Sequence, residues 1–263
     1  MSYKKSLPCS NKSFITGLFI FCFSKAVLSG QGLEPVLKGK DPLPESTLDP
    51  RIDAVDAVGN KPDGGNIESG KELQGMLLQA IGTDDISQAQ YLVSRGAEVN
   101  LPFSDEGDTP LMLAQSLEMA RTLVQEGAEV NARDSKKGTT LHYAVTRPSA
   151  KKLIPFLVEA GADINARGWQ KKTPLNLAVT YLNENRAADI GIIEVLVESG
   201  ADINAPDQNG YTGLMQAAAI GNSLLVDLLL SLGADKTLTD PCGKTAREIA
   251  YESGSRYIYQ RLR

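Results

Sequence analysis

From Lys71 onward the chain repeats one short statement. Glycine followed by Ala-Asp or Ala-Glu recurs at Gly96, Gly127, Gly161, Gly200 and Gly233, at spacings of 31, 34, 39 and 33 residues. An asparagine closes each of the first four of these, and eight or nine residues later comes a second signal. It reads TPLMLA from Thr109, TTLHYA from Thr139, TPLNLA from Thr173 and TGLMQA from Thr212, with a weaker TAREIA from Thr245. A unit of this length cannot bury an apolar face by itself. An internal period of this size therefore dictates a stack in which neighbouring units supply each other's core.

The pieces within a unit agree with that reading. Thr109 and Thr173 are placed to cap helix N-termini with their hydroxyls, and Pro110 and Pro174 occupy the first helical position, where a missing N–H costs nothing. Leu175 and Ala178 stand three residues apart on one helix face; one fills the core and the other lets a second helix approach. A second stripe follows in each unit, for example Ile192, Ile193, Val195, Leu196 and Val197. The five recurrent glycines fall where a helix ends in the left-handed region, which glycine reaches at little cost.

These motifs resemble the ankyrin repeat family over roughly residues 70–263. The resemblance implies an all-α solenoid of helix-turn-helix pairs separated by β-hairpin-like fingers. It divides the domain into a degenerate N-terminal unit within residues 70–100, four full repeats to Gly233 with that unit included, and a partial unit over residues 234–263. The arginine-rich end SRYIYQRLR suits a capping helix with a wet outer face. Departures from the pattern mark places of interest. Repeat two is three residues short between its helices, at AQSLEMA. Repeat four is six residues long at the same place, where YLNENRAADI is expected to bulge as a loop. The fingers leading into repeats three and four lack the usual glycine, and the second of these has Gly168 where an aspartate is expected.

The N-terminal part is different in kind. Lys4, Lys5 and Lys12 precede an apolar run from Phe14 to Phe23, followed by small residues. That pattern predicts a secretory signal peptide over residues 1–30, cleaved after Ala26, Ser29 or Gly30. The run is short of the roughly 20 apolar residues a membrane span needs, so no stable span is expected after cleavage. Residues 31–69 mix Pro, Gly, Asp and Ser without periodicity and read as a disordered linker. The whole chain carries net charge −5. Removing a leader with four lysines and no acids leaves 23 basic and 32 acidic residues. Such a chain is not expected to seek nucleic acid. Of Cys9, Cys22 and Cys242 only the last would remain, giving no internal disulfide.

Catalytic material is scarce. The chain has one histidine, His142, at a position where the resemblance implies a hydrogen bond to neighbouring backbone that ties repeats together. A Ser-His-Asp or Cys-His site would need that same residue. One histidine and one remaining cysteine are too few for zinc, and no phosphate-loop motif occurs. No enzyme, metal or cofactor is expected. The resemblance implies protein binding through the concave surface of fingers and inner helices. Arg133 and Arg167 share a finger position in successive repeats, and Lys136, Lys137, Lys171 and Lys172 crowd the same two fingers. On an acidic protein this basic patch suits a partner with an acidic patch. Trp169, the chain's one tryptophan, lies at a finger tip and is the expected aromatic anchor. Phe103 and Tyr211 lie on other fingers, and Tyr181 stands beside the enlarged loop; all three are candidate contacts. The expected protein is an exported, periplasmic or secreted bacterial monomer. Its alternative roles are an immunity-type neutraliser of an exported toxin, an accessory factor for a periplasmic oxidative-stress enzyme, or a secreted effector.

Overall fold

A computed structural model describes residues 70–184 and 189–263; the expected leader and linker lie outside the described residues. Among the described residues twelve α-helices form six helix-turn-helix pairs. In order they are α1 (Gly70–Thr83), α2 (Ile86–Ser94), α3 (Pro110–Leu113), α4 (Leu117–Gln125), α5 (Thr140–Ala144) and α6 (Ala150–Glu159). Then follow α7 (Pro174–Glu184), α8 (Gly191–Glu198), α9 (Gly213–Ile220), α10 (Ser223–Ser231), α11 (Ala246–Glu252) and α12 (Arg256–Arg261). First helices pack on first helices and second helices on second helices along the stack. Leu77, Leu92, Leu111, Leu123, Leu141, Leu157, Leu175, Leu196, Leu214 and Leu229 belong to one continuous core. Each fully buried leucine contributes about 1.5–3 kcal/mol. Five pairs end at the recurrent glycines, all with positive φ, one more than the four full repeats to Gly233 that the sequence suggests. The sixth pair is the C-terminal unit. There Arg261 Nε meets Asp227 Oδ1 at 2.7 Å while Ile258 and Leu262 are buried.

The recurrent asparagine proves to be the clip between units. Asn131 donates through Nδ2 to Gly161 O (2.8 Å) and accepts at Oδ1 from Asp163 N (2.9 Å). Asn100 grips Gly127 O and Glu129 N, and Asn165 grips Gly200 O and Asp202 N, in the same way. Gln74 performs this office for the first unit, exchanging two hydrogen bonds with the Glu98 backbone. Asn204 accepts from Asp235 N. The clips at Asn100, Asn131 and Asn165 each satisfy one helix-end carbonyl and one turn amide, groups that helix geometry leaves without a partner in their own helix.

The irregular repeats are mended locally. In repeat two, α3 is cut to four residues. Arg147 of the next unit reaches in to donate from Nη2 to Met112 O (2.7 Å), and Ser149 Oγ donates to Gln115 O (2.5 Å). Thr109 stands at the N-cap with extended backbone but makes no capping bond, unlike Thr173 and Thr212, whose hydroxyls accept from Asn176 N and Met215 N. In repeat four the extra residues do not begin as a bulge. α7 continues through Glu184, with Leu182 of its last turn buried in the core, and residues 185–188 lie outside the described part. Asn183 keeps the register of the outer-helix cap residues Ser149 and Asn222, yet its buried amide caps nothing, since the outer helix now starts at Gly191.

The fingers hold no strand among the described residues. Each is a turn closed by a main-chain hydrogen bond, as in Asp134 N to Gly138 O (3.0 Å), Gly168 N to Lys172 O (2.9 Å) and Asp207 N to Tyr211 O (2.9 Å). Cys242 is disulfide-bonded, which corrects the expectation of a lone thiol.

Candidate protein-binding surface

The finger aspartate organises its turn by taking two backbone amides on one oxygen. Asp207 Oδ1 accepts from Asn209 N and Tyr211 N, and Asp240 Oδ1 from Cys242 N and Lys244 N. Asp134 does the same for Lys136 N (2.8 Å) and Gly138 N (2.7 Å). Its second oxygen is where this protein departs from its own pattern. Oδ2 accepts from the Tyr143 hydroxyl (2.8 Å) and from the Trp169 indole N–H (2.9 Å). The same Tyr143 oxygen lies 2.5 Å from Asp108 Oδ1, so the hydroxyl bridges the first and second fingers and Asp134 carries the connection on to Trp169 in the third. Burial, and then these two carboxylates, push the Tyr143 hydroxyl well above its ordinary value of 10.

Trp169 is therefore not a free finger tip. It is half-buried, with its ring edge-on to Tyr143 (centroids 5.2 Å apart) and to His142 (5.7 Å). The two neighbouring glycines follow from this packing. A Cβ on Gly138 would stand 2.7 Å from the indole, and a Cβ on Gly168 would stand 2.5 Å from His142 Nε2. Gly168 thus replaces the usual aspartate because the histidine ring occupies the space a side chain would need.

His142 is fully buried. Its Nε2 lies 3.0 Å from Lys172 O, an atom that can only accept, so Nε2 carries the proton. Its Nδ1 lies 3.2 Å from Thr139 N, which can only donate, so Nδ1 is bare. The ring is neutral, and burial holds its pKa below the ordinary 6.5. As pH falls through 6.5 the unfolded chain takes up a proton that the folded chain refuses. Stability is therefore full above 6.5 and declines below it, at no more than about 1.4 kcal/mol per pH unit. In repeat four Asn176 stands at the same position, its Oδ1 accepting from Thr173 N and its Nδ2 donating to Ala205 O. His142→Asn is accordingly expected to flatten the decline in urea midpoint between pH 7.5 and 5.5, and an unchanged slope would reject this assignment.

The basic residues divide into two sets. Arg133 Nη1 donates to Lys137 O in its own finger and to Arg167 O in the next; Arg167 Nη1 donates to Lys171 O and to Pro206 O. These arginines are braces between fingers. Lys136 pairs with Glu106 of the preceding finger at 2.8 Å, a bond that raises its pKa, though both side chains are largely exposed. Such a pair adds at most about 1 kcal/mol. Lys172 Nζ donates to Thr180 on α7. Lys137 and Lys171 are exposed at the tips and have φ of 68° and 54°. The structure thus brings all six cations onto two adjacent fingers.

The other aromatic candidates contribute less. Tyr211 is 9% exposed and belongs to the core, which removes it from any contact surface. Phe103 and Tyr181 are half-buried, Phe103 against the core. Sequence reasoning missed Asp134 as a hub and Arg147 as a splint. The first had a signal in the lone tryptophan one finger away, and the second in the three-residue deletion. Among the described residues no cluster of His, Cys, Asp and Glu could hold a metal ion, and no helix is long and apolar enough to cross a membrane.

Comparison with protein families returns three matches. Ankyrin repeats (3 copies) match residues 77–168, a single ankyrin repeat matches residues 170–208, and ankyrin repeats (many copies) match residues 196–250. No curated protein matches the chain.

Proposed function

We propose that this chain, which belongs to the ankyrin repeat family, is a non-catalytic module that holds a partner protein through the tips of its second and third fingers. Ankyrin repeats generally mediate protein–protein interaction, and the family is typically non-catalytic. The observation that carries the assignment of this surface is the alternation of charge along the fingers. The first finger presents Glu98, Asp105, Glu106 and Asp108 with no basic residue, and the fourth presents Asp202 and Asp207 with none. Between them stand Arg133, Lys136, Lys137, Arg167, Lys171 and Lys172 against Glu129, Asp134 and Asp163, six basic residues to three acidic and a net of +3 over the two fingers. A local basic field flanked by acidic ones steers an acidic surface to one register and repels it from its neighbours. Trp169 serves this surface as a positioning residue that fixes the third finger against the second. The reading places the protein outside the cytoplasm, on the strength of the basic start and the apolar run Phe14–Phe23.

The test is a pull-down from the native host with the full chain. Changing Lys136, Lys137, Lys171 and Lys172 to glutamate is expected to weaken recovery of the specific partner by about tenfold or more, equivalent to about 1.4 kcal/mol. Recovery at wild-type level would reject the surface.

A further inference from the structure

Within that reading, on which this inference rests, the six cations are not equivalent. We infer that Lys137 and Lys171 are the residues that touch the partner, and that they bind carboxylates on an extended acidic segment of it.

Three observations converge. First, the two side chains are exposed, and among the described residues no hydrogen bond or ion pair holds either ammonium group. The other four cations are engaged with Lys137 O, Arg167 O, Lys171 O, Pro206 O, Glu106 and Thr180. Second, both lysines occupy a left-handed backbone position that the remaining fingers give to glycine, with φ of 84° at Gly107, 81° at Gly210 and 79° at Gly243. A residue with a Cβ is disfavoured there. Backbone strain held in register on adjacent units points to a use for the side chain. Third, the strained turns are specifically braced. Arg133 and Arg167 each donate to the carbonyl of the lysine in their own finger. The fingers that keep glycine have no arginine there: Pro102 (two residues after Asn100), Pro206 and Thr239 stand at that position. Lysine in place of glycine and arginine at the bracing position occur together on the two basic fingers.

The geometry sets the occupant. Packed helices of successive units stand about 8–10 Å apart, which places the two tips at roughly that separation. A chain in the polyproline II conformation rises about 3.1 Å per residue with three residues per turn, so carboxylates three residues apart lie on one face about 9 Å apart and match the two ammonium groups.

The experiment uses the full chain and fluorescein-labelled peptides of repeated Glu-Gly-Gly, with Gln-Gly-Gly as control, read by anisotropy at low salt. The glutamate peptide is expected to bind and the glutamine peptide not to. Two double variants separate charge from strain. K137Q/K171Q keeps the left-handed strain and is expected to weaken binding about tenfold with unchanged Tm. K137G/K171G is expected to weaken binding equally while raising Tm by about 2–4 °C, because relief of left-handed strain exceeds the freedom glycine adds to the unfolded chain. Peptide affinity unchanged in both variants overturns the inference, as does a Tm that falls in the glycine variant. Binding of inorganic polyphosphate in preference to the peptide overturns it as well. If the host partner is recovered as strongly by K137Q/K171Q as by the wild type, this inference fails alone. Recovery undiminished by the fourfold glutamate change above removes the broader reading.

Discussion

Alanine in place of Asp134 is expected to lower the free energy of unfolding by about 3–5 kcal/mol, the largest effect of any single change in the fingers. The carboxylate is 7% exposed and accepts from Lys136 N, Gly138 N, Tyr143 Oη and Trp169 Nε1. Removing it leaves the Gly138 amide and the Trp169 indole N–H, on two fingers, without their acceptor, while the Tyr143 hydroxyl keeps Asp108 Oδ1. Each such donor costs about 1–3 kcal/mol when it cannot find water. The loss should be partly shared with Trp169→Phe, which deletes the indole N–H and shrinks the bicyclic ring to a phenyl beside Tyr143. A double-mutant cycle between the two positions is expected to give a coupling of about 1.5–3 kcal/mol, the range for a hydrogen bond to a charged group. Urea unfolding followed by circular dichroism measures all three variants. Strict additivity would mean that Trp169 and Asp134 act independently, and that the hub does not lock the two fingers.

The second large effect is expected at Arg147, where alanine should cost about 2–4 kcal/mol. The guanidinium is buried, and burial, offset in part by Tyr143, pushes its pKa down to about 10. It is a costly residue to place inside a protein, and its return is the hydrogen bond to Met112 O at the truncated end of α3. Alanine leaves both a cavity and an orphan carbonyl. Methionine fills most of the volume and removes the buried charge, so Arg147→Met should recover about half of the loss. Equal destabilisation by alanine and methionine would show that the hydrogen bond, and not the volume, dominates.

The sequence pattern reached the architecture because the features that define it are local and repeated. Gly96, Gly127, Gly161, Gly200 and Gly233 mark helix ends through one conformational requirement, and all adopt it. The position of Leu175 three residues before Ala178 is likewise a local matter. What the pattern did not reveal depends on contacts between units about thirty residues apart. Trp169 looks exposed when only its own finger is considered. Its burial is set by Gly138 and Asp134 of the previous finger, at separations that no short-range spacing encodes. Asn176 and His142 perform the same office with different chemistry, so the histidine alone gave no hint of the equivalence. The lysines at 137 and 171 were visible as a missing glycine, but the conformation that makes them costly emerges only from the backbone. The enlarged repeat misled in the opposite direction, since residues up to Glu184 extend α7 where composition suggested a loop.

The asparagine clips have a consequence for how such a surface can change over time. Asn131 and Asn165 grasp main-chain atoms of the next unit and take no account of its side chains. The joint between units is thus indifferent to what each finger displays. Acidic tips, lysine tips and a tryptophan lock stand side by side on main-chain fastenings of one kind, and the finger-to-finger side-chain ties are added on top of them. The stack behaves as a rail of standard fittings, on which the chemistry of recognition is free to drift one unit at a time.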